Sequence, residues 1–244
     1  QDGHSLLIAS TVPSCRAWDP AYAYELATII RHGIDEMWGK EIDIFHYIMI
    51  YNENQQQPAK PNNADQGIIK GAYKLIDSSN NGKPKVRLLG SGPILDYVKE
   101  AHEILNSQYE IDSEVWSVTS YGELRREGIS TTRHNRLSPQ NIQTPYVENC
   151  FGDKIPTVAV SDHIAAIPEM IQRWVGGSYV VLGTDGYGRS DTREALRQFF
   201  EIDTNSIVLG AISALEKDGK LPNGSVDKAI SKLNINKDRI DKTE

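Results

Sequence analysis

Along residues 19–38, Tyr22, Leu26, Ile29, Ile30, Ile34 and Met37 recur three or four positions apart, which predicts a single amphipathic helix. Asp19 is placed to cap it, Pro20 suits its first turn, and Gly39 ends it. The short aromatic and β-branched run at 45–51 predicts a buried strand. Further on the two periods alternate. Strands are expected at 67–76, 85–89, 115–119, 157–161 and 179–182. Helices are expected at 94–105, at 121–128, and at 164–175 with Ile167, Met170, Ile171 and Trp174 inward. Three more should begin at Asp191, paired with Glu194 as a capping box, at Asp203 and at Ser225. Such alternation predicts an α/β fold: a three-layer domain with a mostly parallel sheet and helices on both faces.

One stretch breaks the pattern. Residues 52–65 (NENQQQPAKPNNAD) are polar, contain Pro58 and Pro61, and offer no apolar face to bury. A domain boundary is expected there, with residues 1–57 ending one α/β domain, 58–64 linking, and 65–244 forming the next. Limited proteolysis is expected to cut this stretch first.

The glycine clusters are the next candidates for chemistry. GSGP at 90–93 sits between a strand and a helix but lacks the third glycine of a dinucleotide loop, so it reads as a tight turn. GTDGYGRSD at 183–191 reads equally as an anion site, a subunit contact built on Arg189, or a glycine-rich turn. Asp162-His163 has no accompanying G-x-S-x-G elbow, and Asp162 is assigned to helix capping. None of the six histidines falls in an HExxH or similar pair, so no metal ligands are assigned. Cys15 and Cys150 form no CxxC motif and are expected to be reduced thiols in a cytoplasmic protein. A net charge of −7 argues against a nucleic-acid partner, and no run of 18 apolar residues suggests a membrane span. A chain opening on Gln1-Asp2-Gly3-His4 is expected to be part of a longer polypeptide. Residue chemistry alone thus reaches an α/β domain preceded by the end of another, without an activity.

Seven segments taken together add more: DGHS (2–5), DPAYAYELATIIRHGIDEMWG (19–39), YNENQQQPAKP (51–61), GIIKGAYKL (67–75), VRLLGSGPIL (86–95), VWSVTSYGELRREG (115–128) and YVVLGTDGYGRSDTREALRQFFEID (179–203). In this order they closely resemble the C-terminal part of the thiamin-diphosphate-dependent decarboxylating subunits of homodimeric, bacterial-type pyruvate dehydrogenases, members of the transketolase-like superfamily. That resemblance implies that residues 1–57 end a middle, pyrimidine-binding domain and that 65–244 form a transketolase-like C-terminal domain. It implies thiamin diphosphate and Mg²⁺ as cofactors of the parent enzyme. Their main binding residues would lie upstream, because the family's G-D-G metal motif and its activating glutamate are not found here. It further implies three partners: the rest of the polypeptide, a second copy, and a lipoyl-bearing acyltransferase subunit. Asp2 and His4 match the family's active-site rim and are the candidate catalytic residues, with a supporting role favoured for both; no cofactor-binding or metal residue is assigned. Such enzymes decarboxylate pyruvate and pass the acetyl group to the lipoyl group; this chain by itself is expected to be inactive. Two alternatives stay open, a docking or dimerisation module and a fragment of another thiamin enzyme such as transketolase.

Overall fold

The computed structural model describes residues 3–79 and 82–243. It begins with α1 (Ser5–Ser10), β1 (Cys15–Trp18), α2 (Ala23–Ile34) and β2 (Phe45–Ile48). β1 and β2 pair in parallel, with Cys15 opposite Phe45 and Trp18 opposite Ile48. After residues 49–61, which have neither helix nor strand, come α3 (Ala64–Lys70), β3 (Ala72–Ile76), β4 (Lys85–Gly90) and α4 (Ile94–Gln108). Next are β5 (Asp112–Val118), α5 (Tyr121–Leu137), α6 (Tyr146–Phe151), β6 (Thr157–Val160), α7 (Ala166–Glu169) and β7 (Tyr179–Leu182). α8 (Arg193–Phe199), α9 (Thr204–Lys217) and α10 (Ser225–Lys232) complete the order.

The larger sheet runs β3-β5-β4-β6-β7, with only β3 antiparallel to its neighbour. Period-two alternation sends successive residues of its central strands to opposite faces. Leu88, Val115 and Val158 join one core with Val98 and Leu105 of α4 and Ile207 and Ala211 of α9. Leu89, Trp116 and Ala159 join the other with Leu124 of α5, Phe151 of α6 and Ile167 of α7. Since both faces are covered, β5 and β6 are buried along their whole length. The three-layer expectation holds. A third core of Trp18, Ile29, Ala64, Ile68 and Tyr73 packs α2 and the smaller sheet against α3 and β3.

Several elements differ from their sequence pattern, among them β2, which is half-exposed rather than buried, with Phe45 on the surface. The first helix starts at Ala23 rather than at Asp19, because Asp19 is buried and engaged elsewhere; its last turn widens into a π-turn over Asp35–Gly39. Residues 67–76 are not one strand. Gly71, with φ +104°, stops α3 and starts β3, and a Cβ there would lie 2.4 Å from the Ser120 carbonyl oxygen. The expected helix at 164–175 splits into α7 and a 3₁₀ turn at Gln172–Trp174. Pro168 has no N–H to offer the Ile164 carbonyl, and Met170, Ile171 and Trp174 make i→i+3 bonds instead. Finally, Thr192 and not Asp191 caps α8, its Oγ1 accepting from Ala195 N–H at 3.3 Å.

Residues 52–63 are mostly exposed, yet the segment is tied down at Asn52, Glu53 and Gln57. Glu53 pairs with Arg197, and the Gln57 side-chain oxygen accepts from Ala23 N–H.

Candidate functional site

The chain after each parallel strand leaves at the same edge, and these exits converge. Asp19 follows β1, Tyr51 follows β2, Ser91 and Gly92 follow β4, Asp162 and His163 follow β6, and Thr184 follows β7. Carboxyl ends of parallel strands are where open α/β sheets present their functional loops. Here the exits of β2, β6 and β7 frame a cleft of about 400 Å³, floored by Met49, Leu196, Phe200 and Ile202 and rimmed by His4, Asn52, Glu53, Asp162, His163, Thr184, Arg193 and Arg197.

Behind the rim lies a hydrogen-bonded chain assembled from three distant segments. The Tyr51 hydroxyl donates to Asp19 Oδ1 at 2.6 Å and stands 3.1 Å from His163 Nε2. Its one proton being given to Asp19, the phenolic oxygen accepts from His163 Nε2–H. That nitrogen also lies 3.6 Å from Asp19 Oδ2. Burial pushes the Asp19 carboxyl up, but His163 and the Ser91 and Tyr51 hydroxyls outweigh it and hold it below the usual carboxylate range. Beside it, burial raises the Asp162 carboxyl, with Arg197 opposing. Asp162 therefore does not cap a helix as its sequence context suggested; α7 starts after Ala165, whose N–H donates to Asp185 Oδ1.

The GSGP turn has its explanation here. Gly92 N–H donates to the Asp19 carbonyl at 3.1 Å, and a Cβ on Gly92 (φ +49°) would lie 2.7 Å from Asp19 Oδ1 and 3.0 Å from the Tyr51 ring. The turn lets the two sheets approach. Gly92→Ala is expected to cost about 1–3 kcal/mol from backbone strain, plus the displacement of Asp19 and Tyr51. Gly82→Ala provides the comparison, since Gly82 also has positive φ (+79°) but open space around it. Urea unfolding of the two variants should show the larger loss at position 92.

The cleft's cations are committed. Arg197 is buried, chelates Glu53 at 3.0 and 2.8 Å, and donates to the Tyr97 hydroxyl at 2.7 Å. Arg193 donates to Asn52 Oδ1 at 2.6 Å. Arg189 stacks on the Phe199 ring at 4.0 Å and does not reach across the cleft. Of the two sequence candidates, Asp2 lies outside the described residues. His4 is exposed at the start of α1 and lies on the cleft rim with His163. Sequence reasoning missed Asp19, Tyr51 and His163, which have no common motif; the lone clue was a buried-type Asp-His pair after a strand. Among the described residues no group of three His, Cys, Asp or Glu side chains could hold a metal ion, and no helix is long and apolar enough to cross a membrane.

Residues 71–203 match the family described as the transketolase-like TK C-terminal domain, and residues 1–58 match the pyruvate dehydrogenase E1 component middle domain. The chain belongs to the transketolase-like C-terminal domain family. More particularly, it is 47% identical over 242 residues to the pyruvate dehydrogenase E1 component of Pseudomonas aeruginosa, covering 98% of this chain and 27% of that protein. It is 44% identical over 243 residues to the same component of Escherichia coli K12, with coverage of 98% and 27%. The chain thus spans about a quarter of the length of the curated relatives it matches. Transketolase from Leishmania mexicana superposes with a TM-score of 0.64 at 16% identity, over 92% of this chain and 29% of that one. A split-gene transketolase, solved as an inactive β4 tetramer, gives 0.56 at 15% identity, over 88% and 63%. These two likenesses show the fold. The resemblance read from the ordered sequence segments holds.

Proposed function

We propose that the chain forms the C-terminal part of a pyruvate dehydrogenase E1 component, with residues 1–57 completing its middle domain, 58–64 linking, and 65–244 forming its C-terminal domain. The supporting observation is sequence identity of 47% that runs through both domain families in their order along 98% of the chain. In this reading the whole enzyme uses thiamin diphosphate to decarboxylate pyruvate and transfers the acetyl group to a lipoyl group of a partner acyltransferase subunit. It works as a homodimer.

The residues present do not fit the diphosphate and its Mg²⁺. The cleft presents Glu53 and Asp162 to an anion, and its buried arginine is already neutralised by Glu53. No chemical step is therefore assigned to this chain through the cofactor. Its part is structural: the Asp19–Tyr51–His163 chain locks the two sheets at their carboxyl edges, and His4 contributes to the rim.

Calorimetric titration of this chain with thiamin diphosphate and Mg²⁺ should give no saturable heat, while the polypeptide that includes the upstream domains should release CO₂ from pyruvate. Saturable micromolar binding by the chain alone would overturn the assignment of cofactor residues to the upstream part. A longer polypeptide that ignores pyruvate but transfers two-carbon units from ketose phosphates would overturn the E1 reading in favour of a transketolase.

A further inference from the structure

The glycine-rich loop that forms one wall of the cleft is held by a distant segment. Lys242 Nζ donates to the Gly183 carbonyl at 2.7 Å and to the Phe200 carbonyl at 3.1 Å, with Asp185 Oδ2 at 4.0 Å. Gly183 leaves β7 and Phe200 ends α8, so one ammonium closes both ends of the excursion between them. Thr184, Gly186, Gly188, Arg193, Leu196 and Phe200 of that excursion line the cleft. At its middle the two backbones touch: Gly186 has φ +91°, and a Cβ there would lie 1.9 Å from the Lys242 carbonyl oxygen. Only glycine permits that approach. Arg239 adds a bond to the Gln198 carbonyl at 3.3 Å and lies 3.8 Å from Glu201.

We infer that residues 234–243 are a strap that sets the position of the cleft wall, with Lys242 as its positioning residue. The other anchors of the wall hold its flanks: Asp185 receives Ala165 N–H, Arg193 bonds Asn52, and Arg197 chelates Glu53. The strap acts between them, on a loop whose tip, Tyr187, is 88% exposed. Releasing it loosens the wall and leaves the sheet intact, since β4 and β6 are paired and packed without it. The role is independent of which reaction the parent enzyme performs.

Hydrogen exchange of the whole chain, read by mass spectrometry, tests this in Lys242→Met and Gly186→Ala, which attack the contact from opposite sides. The protected amides of Thr184, Phe200 and Ile202, bonded to the His163, Leu196 and Arg197 carbonyls, should exchange at least about tenfold faster in both variants, as expected when a charged hydrogen bond is lost, with β4 and β6 still protected. Lys242→Arg, which keeps a cationic donor, should restore slow exchange. Lys237→Met, whose ammonium pairs instead with Asp227, should behave like the parent. Unchanged loop exchange in Lys242→Met would overturn the strap. So would equal acceleration in β4 and β6, which would make Lys242 a general stabiliser.

Discussion

Glu25→Ala is expected to lower the unfolding free energy by about 3–5 kcal/mol, from several buried donors left without an acceptor and the cavity opened. Glu25 is fully buried on α2, and among the described residues no cation pairs with it. Four donors satisfy it instead: Ala21 N–H, Tyr22 N–H, the Ser117 hydroxyl and the Tyr73 hydroxyl, the last two at 2.6 Å. Removing the carboxylate strands four donors out of water and opens a cavity. In a domain of this size the melting temperature should fall by roughly 10 °C. Burial pushes the Glu25 carboxyl above its usual range, against the hydrogen bonds. The folded state therefore binds this proton more tightly than the unfolded one, and stability falls as pH rises from the ordinary glutamate range to the raised value. Urea midpoints across pH 4–8 should show that slope in the parent and not in Glu25→Ala. A loss below about 1 kcal/mol would mean that water replaces the carboxylate, as at an exposed site.

The second large effect has the opposite sign and a lower pH window. Glu114 on β5 is buried, which raises its carboxyl, but the Arg87 guanidinium, the Trp116 N–H and Lys74 bring it down to about 2. A depressed folded value contributes stability above the ordinary glutamate range, and that contribution is lost as pH falls from about 4.5 to about 2. The shift corresponds to roughly 3 kcal/mol. Glu114→Gln should flatten this acid limb. It should also cost about 3–5 kcal/mol at neutral pH, because Arg87 is left buried with only the partly exposed Asp153 for a counter-charge. Acid titration of the two proteins in urea measures both. An acid limb that survives in Glu114→Gln would assign it to another carboxylate.

The larger sheet was legible where its strands carry apolar runs bounded by turn residues, as at Leu88-Leu89 and in β6, and because α4 repeats Leu95, Val98 and Leu105 on one face; the polar start of β5, Asp112-Ser113-Glu114, was not. Where the pattern misled, a residue that signals one role was used in another. Asp19-Pro20 looks like a helix start, but Asp19 is spent on Tyr51 and His163. Ile68, Ile69 and Tyr73 look like one β run, but Gly71 divides them. α5 continues nine residues beyond Gly128 through a polar stretch whose pattern gives little helical signal, since only Thr131 there is buried. The site was hardly legible at all. Its polar chain links positions 32 and 112 residues apart, so no local spacing could reveal it. His4 on the rim came from family resemblance, and Asp2 falls outside the described residues.

The Glu25 network also says something about order in time. Its hydroxyl donors lie 48 and 92 residues further along the chain. During synthesis, α2 leaves the ribosome well before β3 and β5 exist to receive its carboxylate. Closing loops of that length is slow compared with forming a helix. Until β5 has paired, Glu25 stays hydrated and α2 has no settled seat. α2 thus reaches its final place only after segments made later than itself have paired.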